Sequence, residues 1–158
     1  MREEKIIAIS GGFDPIHIGH LQLFRDASEY GKVCVVLNSD SWIVNKKGFF
    51  FMPWEERSLI ITSIPWVSKI IKAKDRDGTV CDTLREIRPD YFGNGGPRRL
   101  SNMPLKEISL CEELNIPMIW NLGENSMQTP HMLALQDQSI KRMVKLIQNN
   151  ERFEKGDM

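Results

Sequence analysis

The chain lacks the features that would mark it for a membrane, for secretion or for nucleic acid. Its 21 Lys and Arg are balanced by 21 Asp and Glu, so the formal net charge is zero and no basic stripe argues for a nucleic-acid partner. No apolar run approaches the ~20 residues needed to cross a bilayer. The start, Met1-Arg2-Glu3-Glu4, leads into a strand-like stretch without a signal-peptide pattern, and a cytoplasmic protein is expected. Cysteine is scarce: Cys34, Cys81 and Cys111 are odd in number and far apart. They exclude a disulfide framework and a zinc-ligand cluster, and read as small buried hydrophobes in a reducing compartment. Repeats and low-complexity tracts are absent. What remains is ordinary: 158 residues, 41% hydrophobic and 27% charged, enough for one α/β domain with a core.

The pattern predicts strands and helices in alternation. Lys5 to Ile9 and Lys32 to Asn38 are apolar runs of strand length, and Leu21, Leu23, Phe24 and Ala27 between them fall at helical spacing. Strand, helix, strand at this spacing is a βαβ unit with a parallel sheet and a right-handed crossover. Further strands are expected at Trp66–Ile71, Tyr91–Gly93 and Ile116–Leu122. Helices are expected at Ser41–Asn45, from Pro53 to Ile64, at Thr79–Arg88 and at Pro104–Asn115. A long amphipathic helix is expected over 132–150 and a charged tail over 151–158, with one domain spanning 1–150.

Between the first strand and its helix lies Ser10-Gly11-Gly12-Phe13-Asp14-Pro15-Ile16-His17-Ile18-Gly19-His20. This is the ligand edge of an open α/β sheet. Gly11 and Gly12 let the backbone approach a ligand or take up positive φ. Asp14 before Pro15 is pushed out of the α region and suits a cap for the helix after it. His17 and His20, three apart, share one face of a first helical turn beside unpaired N–H groups, a setting for a polyphosphate. Two imidazoles donate to phosphate oxygens there, more strongly if protonated.

Gly12-Phe13-Asp14-x-x-His17-x-Gly19-His20 resembles the signature of the HxGH nucleotidyltransferase superfamily, in the cytidylyltransferase-like branch. The resemblance runs from about Lys5 to Leu133. It implies a Rossmann-like α/β domain, a parallel sheet of about five strands flanked by helices. It also implies transfer of a nucleoside monophosphate from a triphosphate to a small phosphorylated acceptor, with Mg²⁺ carried by the triphosphate. His17 and His20 would then contact the α- and β-phosphates. Lys46 or Lys47, in a loop before Phe49-Phe50-Phe51, would reach the phosphates. Arg57 would order the acceptor; an ion pair with Glu55 or Glu56 is the ordinary alternative. Gly11, Gly12, Phe13 and Asp14 would line the nucleotide site, and Asn38-Ser39-Asp40 resembles the segment closing the family's second strand. At least one of the three phenylalanines should line a pocket or interface.

Farther along, Asn94-Gly95-Gly96-Pro97-Arg98 is similar to the family's N-G-G-D-R segment, with Pro97 in place of the acid and Arg98 kept. Asn94, Gly95 and Arg98 would bind nucleotide. Ser126 and Thr129 would hold its β,γ-phosphates, although Pro130 and His131 interrupt the usual run of hydroxyls. CTP is favoured as in glycerol-3-phosphate cytidylyltransferases, with ATP the alternative as in heptose-phosphate adenylyltransferases. A nucleotide-binding sensor or scaffold is the reading of a different class. Trp54, Trp66 and Trp120 would allow a homodimer interface.

Overall fold

The computed structural model describes residues 4–96, 98–123, 141 and 145–149. The chain divides into two units, 1–126 and 127–158. In the second, Lys141 and residues 145–149 are helical. Most of the helix expected over 132–150 and all of the tail 151–158 lie outside the described residues, as do Pro97, Ser126, Thr129, Pro130 and His131.

Among its described residues, the first unit holds five strands: β1 Ile6–Gly11, β2 Lys32–Leu37, β3 Val67–Lys72, β4 Tyr91–Gly95 and β5 Met118–Leu122. Five helices connect them: α1 Ile18–Ser28, α2 Asp40–Lys47, α3 Trp54–Thr62, α4 Cys81–Ile87 and α5 Leu105–Glu113. All pairings are parallel, in the order β3-β2-β1-β4-β5, with Ile7 facing Val33 on one side of β1 and Tyr91 on the other. The chain winds outward from β1 twice in opposite directions. The gap between β1 and β4 is therefore a topological switch point, where such sheets bind ligands.

Two cores flank the sheet. Ile7, Ile9, Val33, Val35 and Leu37 point to one face and meet Phe24 and Ala27 of α1 and Ile61 of α3. Ala8, Val36 and Phe92 point to the other and meet Leu84 of α4 with Leu110 and Cys111 of α5. The period-2 alternation of the buried strands thus feeds both layers. Gly93 has no room for a side chain: a Cβ there would lie 2.4 Å from Ile9 Cδ1 and 2.7 Å from Leu122 Cδ1. All three cysteines are buried and free, as their isolation in sequence implied. Among the described residues, no helix is long and apolar enough to cross a membrane.

The helices and strands expected before residue 123 form with boundaries moved by at most two residues, and two moves matter for the site. Asn94 and Gly95 belong to β4 rather than to a loop after it. Lys46 and Lys47 lie in the last turn of α2, not in a loop. Gly48 at φ 93° ends that helix in the left-handed conformation, and two cations in the last turn suit its negative end.

Candidate functional site

The turn after β1 is built around an aromatic ring. Phe13 is buried, takes φ 51°, and sets its ring edge-on to His20 at 4.9 Å and to Phe24 at 5.2 Å. Left-handed backbone in a bulky residue costs roughly 1–2 kcal/mol, so its packing must compensate. A Cβ on Gly11 would stand 2.8 Å from the Phe13 ring, which is why that position is glycine. The ring of Phe13 is thus the floor under His20.

Asp14 corrects its expectation. It does not cap α1: its buried carboxylate accepts from Phe51 N at 2.7 Å and Met52 N at 2.9 Å. It ties the segment after α2 to the glycine turn. The cap of α1 is His17, whose Nδ1 accepts from Gly19 N at 3.1 Å, while His20 Nδ1 accepts from His17 N at 3.1 Å. The helix-start N–H groups expected to be unpaired are partly taken by the histidines themselves. The rings stack with centroids 3.7 Å apart.

Because each Nδ1 is an acceptor, the neutral rings carry their proton on Nε2. Burial lowers the pKa of His17. Burial first, then the charges of His17 and Lys47, bring that of His20 down to about 3. The pair is neutral at physiological pH, so its donors are two neutral Nε2–H groups rather than the stronger ones of a protonated ring.

Arg57 is fully buried and pairs with neither Glu55 nor Glu56. Nε donates to Met52 O at 2.9 Å, Nη1 to Gly12 O and Asn38 O at 2.8 Å each, and Nη2 to Asp40 Oδ1 at 2.7 Å. It clamps the ends of β1 and β2 together from inside, so it orders the site through the backbone. Three of its partners are backbone carbonyls, which sequence does not display.

The two lysines part company. Lys47 Nζ donates to Asp14 O at 3.2 Å. Lys46 Nζ lies over the Trp42 ring at 4.7 Å, with its pKa lowered by burial and then by Arg98 and Lys47. Phe49 and Phe51 meet edge-on at 5.2 Å, leaving Phe50 as the exposed member of the triplet. Trp54, counted toward an interface, donates its indole N–H to Leu37 O and packs on the core.

Lys46 lines a cleft of about 1220 Å³ at the C-terminal ends of β1, β2 and β3, together with Ser10, Asn38, Trp42, Arg98 and Glu107. Its walls carry five cations (Lys46, Lys72, Lys74, Arg76, Arg98) against two carboxylates (Asp75, Glu107). Such a cleft focuses positive potential on an anion. Of the residues singled out from sequence, Asn38, Ser39, Lys46 and Arg98 line it; His17, His20, Lys47, Asn94 and Gly95 do not. Asn94 is buried at the switch point. Its Nδ2 donates to Phe92 O and Ile119 O, while its Oδ1 has no hydrogen bond. Gly95 has open space where a Cβ would stand. Trp42, Lys72 and Glu107 escaped the sequence reading: a lysine at a strand end and an acid in a first helical turn are commonplace. Among the described residues, no group of three or more His, Cys, Asp or Glu is placed to hold a metal.

Residues 8–154 match the family model described as cytidylyltransferase-like. The bifunctional protein HldE of Koribacter versatilis is 28% identical over 104 residues, 64% of this chain and 21% of the relative. The FAD synthase of Archaeoglobus fulgidus is 27% identical over 110 residues, 70% of this chain and 79% of the relative. The chain thus spans about a fifth of the HldE protein but most of the FAD synthase. Among solved structures, a lipopolysaccharide core biosynthesis protein from Thermoplasma volcanium superposes with a TM-score of 0.62 at 21% identity, over 75% of this chain and 95% of that one. At that identity the likeness speaks for the fold alone.

Proposed function

The chain belongs to the cytidylyltransferase-like family of nucleotidyltransferases, and from that premise we propose that it couples a nucleoside triphosphate to a small phosphorylated acceptor. An acceptor phosphate oxygen attacks the α-phosphorus, the bond from α-phosphorus to the α,β-bridging oxygen breaks, and pyrophosphate leaves. The attacking phosphate is already anionic, so no general base is required. The site must supply alignment and charge compensation.

The observation that carries this reading is the stacked histidine pair at the head of α1, its Nδ1 atoms fixed by backbone N–H groups. Preset Nε2–H donors suit the charge that develops on phosphate oxygens as the bridge breaks. Losing one such donor typically costs about 2.7–4 kcal/mol of transition-state stabilisation. The triphosphate would lie along His17 and His20 with its nucleoside toward Asn94 and Gly95 at the switch point. The acceptor would enter the cationic cleft, its phosphate met by Lys46 and Arg98. Mg²⁺ would travel with the triphosphate, neutralising its charge; the described side chains offer no cage of their own, as suits an ion held mainly by phosphates.

For the base, the FAD synthase relatives favour ATP, since FAD contains an adenylyl group. CTP is the second reading, carried by the form of the Gly12–His20 motif. The test is pyrophosphate release with Mg²⁺, each nucleoside triphosphate in turn, and a panel of phosphomonoesters. Release that requires one nucleotide and one acceptor, and that His17→Ala and His20→Ala abolish, supports the proposal. Nucleotide binding without release across the panel would favour the sensor or scaffold.

A further inference from the structure

Among the described residues, two buried side-chain atoms lack any hydrogen bond: Asn94 Oδ1 at the switch point and Glu107 Oε1 in the cleft. The second is out of keeping with its surroundings. The other carboxylate of the cleft, Asp75, is fully engaged, accepting from Asp82 N at 2.7 Å, Thr83 Oγ1 at 2.7 Å and Thr83 N at 3.2 Å. Glu107, third residue of α5, has a side chain only 4% exposed. Arg98 Nη1 stands 3.8 Å from Oε1, too far for a hydrogen bond. Burial raises the pKa of this carboxyl; Arg98 and then the Val80 N–H lower it, the latter without closing a hydrogen bond to Oε1. A buried acceptor without a donor costs about 1–3 kcal/mol, so the position asks for a partner.

The Arg98 side chain is 33% exposed, lines the same cleft, and is the movable member of the pair. Resting on the proposal that the cleft takes the acceptor, we propose that Glu107 determines specificity by accepting a hydrogen bond from a hydroxyl close to the acceptor's phosphate. Arg98 turns from the carboxylate to that phosphate, and the hydroxyl takes its place at Oε1. The acceptor is then a polyol or sugar phosphate rather than a bare alkyl phosphate. A site that buries a group to pair with a hydroxyl rejects the analogue lacking it, because the group is left orphaned.

Binding is measured before turnover. Glycerol 3-phosphate, hexose 1-phosphates, propyl phosphate and inorganic phosphate are titrated into the full chain by calorimetry. At least one hydroxylated phosphate is expected to bind roughly tenfold or more tightly than propyl phosphate. Glu107→Gln and Glu107→Leu are expected to bring that ratio close to unity while nucleotide affinity and propyl phosphate affinity hold. Arg98→Gln is expected to weaken all the phosphates together and keep the ratio. Equal binding of all the phosphates, binding of none, or a ratio that survives both Glu107 variants overturns the assignment. A ratio that collapses as expected, with no pyrophosphate released from any nucleotide, leaves the assignment standing and removes the transferase reading. Turnover indifferent to acceptor hydroxyls and to Glu107 does the reverse.

Discussion

His17 and His20 stack at 3.7 Å, and each accepts a backbone N–H on Nδ1, His17 from Gly19 and His20 from His17 itself. Protonating either Nδ1 breaks a cap of α1. The pair therefore couples the start of the helix to the presentation of two Nε2–H donors, and both depend on the rings staying neutral.

This gives a pH prediction with a definite sign. His20 titrates near 6.5 when unfolded and is brought down to about 3 when folded. Between those values the unfolded chain binds the extra proton, so stability is full above about pH 6.5 and is lost as pH falls toward 3. Urea unfolding midpoints should decline through that window, and His20→Asn should flatten the decline. Activity should show no histidine ionisation between about pH 6.5 and 8, because neither ring titrates there. An activity limb near 6.5 that coincides with titration of the His20 ring followed by NMR in the parent chain would contradict the neutral pair.

How much of this was legible in the sequence differs from residue to residue. The β1–α1 motif was readable because strand composition, glycine spacing and two histidines in register all lie within sixteen residues. The role of Arg57 was not: Glu55 and Glu56 are adjacent in sequence, yet the guanidinium turns away from both to Gly12 O and Asn38 O. Asp14 misled for a similar reason, since its partners Phe51 N and Met52 N lie nearly forty residues on. Lys46 and Lys47 read as a loop, because nothing in the local pattern shows that α2 runs through both lysines to end at Gly48. Glu107 has the sequence signature of any first-turn acid, and only its missing hydrogen bond sets it apart. Local pattern reported the elements; long-range bonds to backbone decided what the charged side chains do.

Arg57 should matter more to stability than any surface cation. Arg57→Met strands Asp40 and leaves Gly12 O, Asn38 O and Met52 O short of a donor, a loss expected at ~3–5 kcal/mol in urea unfolding. Asp40→Asn should cost less, because the Asp40 side chain is 34% exposed and water can replace part of the contact. A cycle combining the two substitutions should show strong coupling. If Arg57→Met unfolds at the parent's urea concentration, the clamp does not hold the two strand ends.

Lys46 and Lys47 should separate kinetically. Lys46 faces the cleft beside Arg98, so Lys46→Met should raise the acceptor KM by roughly tenfold with little change in the nucleotide KM. Lys47 is tied to Asp14 O, and its charge depresses the His20 pKa. Lys47→Met should leave the acceptor KM near the parent's. It should also bring the folded pKa of His20 closer to its unfolded value, so that less stability is lost on acidification. Exchanged effects would reverse the assignment of the two lysines.

Gly11→Ala tests whether the floor beneath His20 sets the chemistry. The new Cβ would stand 2.8 Å from Phe13 Cζ, and the backbone cannot retreat, because Gly11 pairs with Leu37 and its carbonyl accepts from Asn38 N at 2.9 Å. The Phe13 ring must yield, and it is confined between Phe24 and His20. Displacing a preset donor by about 1 Å can cost ~10²-fold in rate, so kcat should fall on that order. Crowding of this kind usually removes about 1–3 kcal/mol of stability, leaving a folded protein to assay. Gly95→Ala is the control with the opposite signature. Nothing lies within 4 Å of its Cβ, so stability should hold, while a methyl at the switch point should raise the nucleotide KM and spare kcat. If Gly11→Ala keeps the parent's kcat, the His20 ring does not owe its catalytic position to Phe13. The backbone bond from His17 N to His20 Nδ1 would then be what holds it.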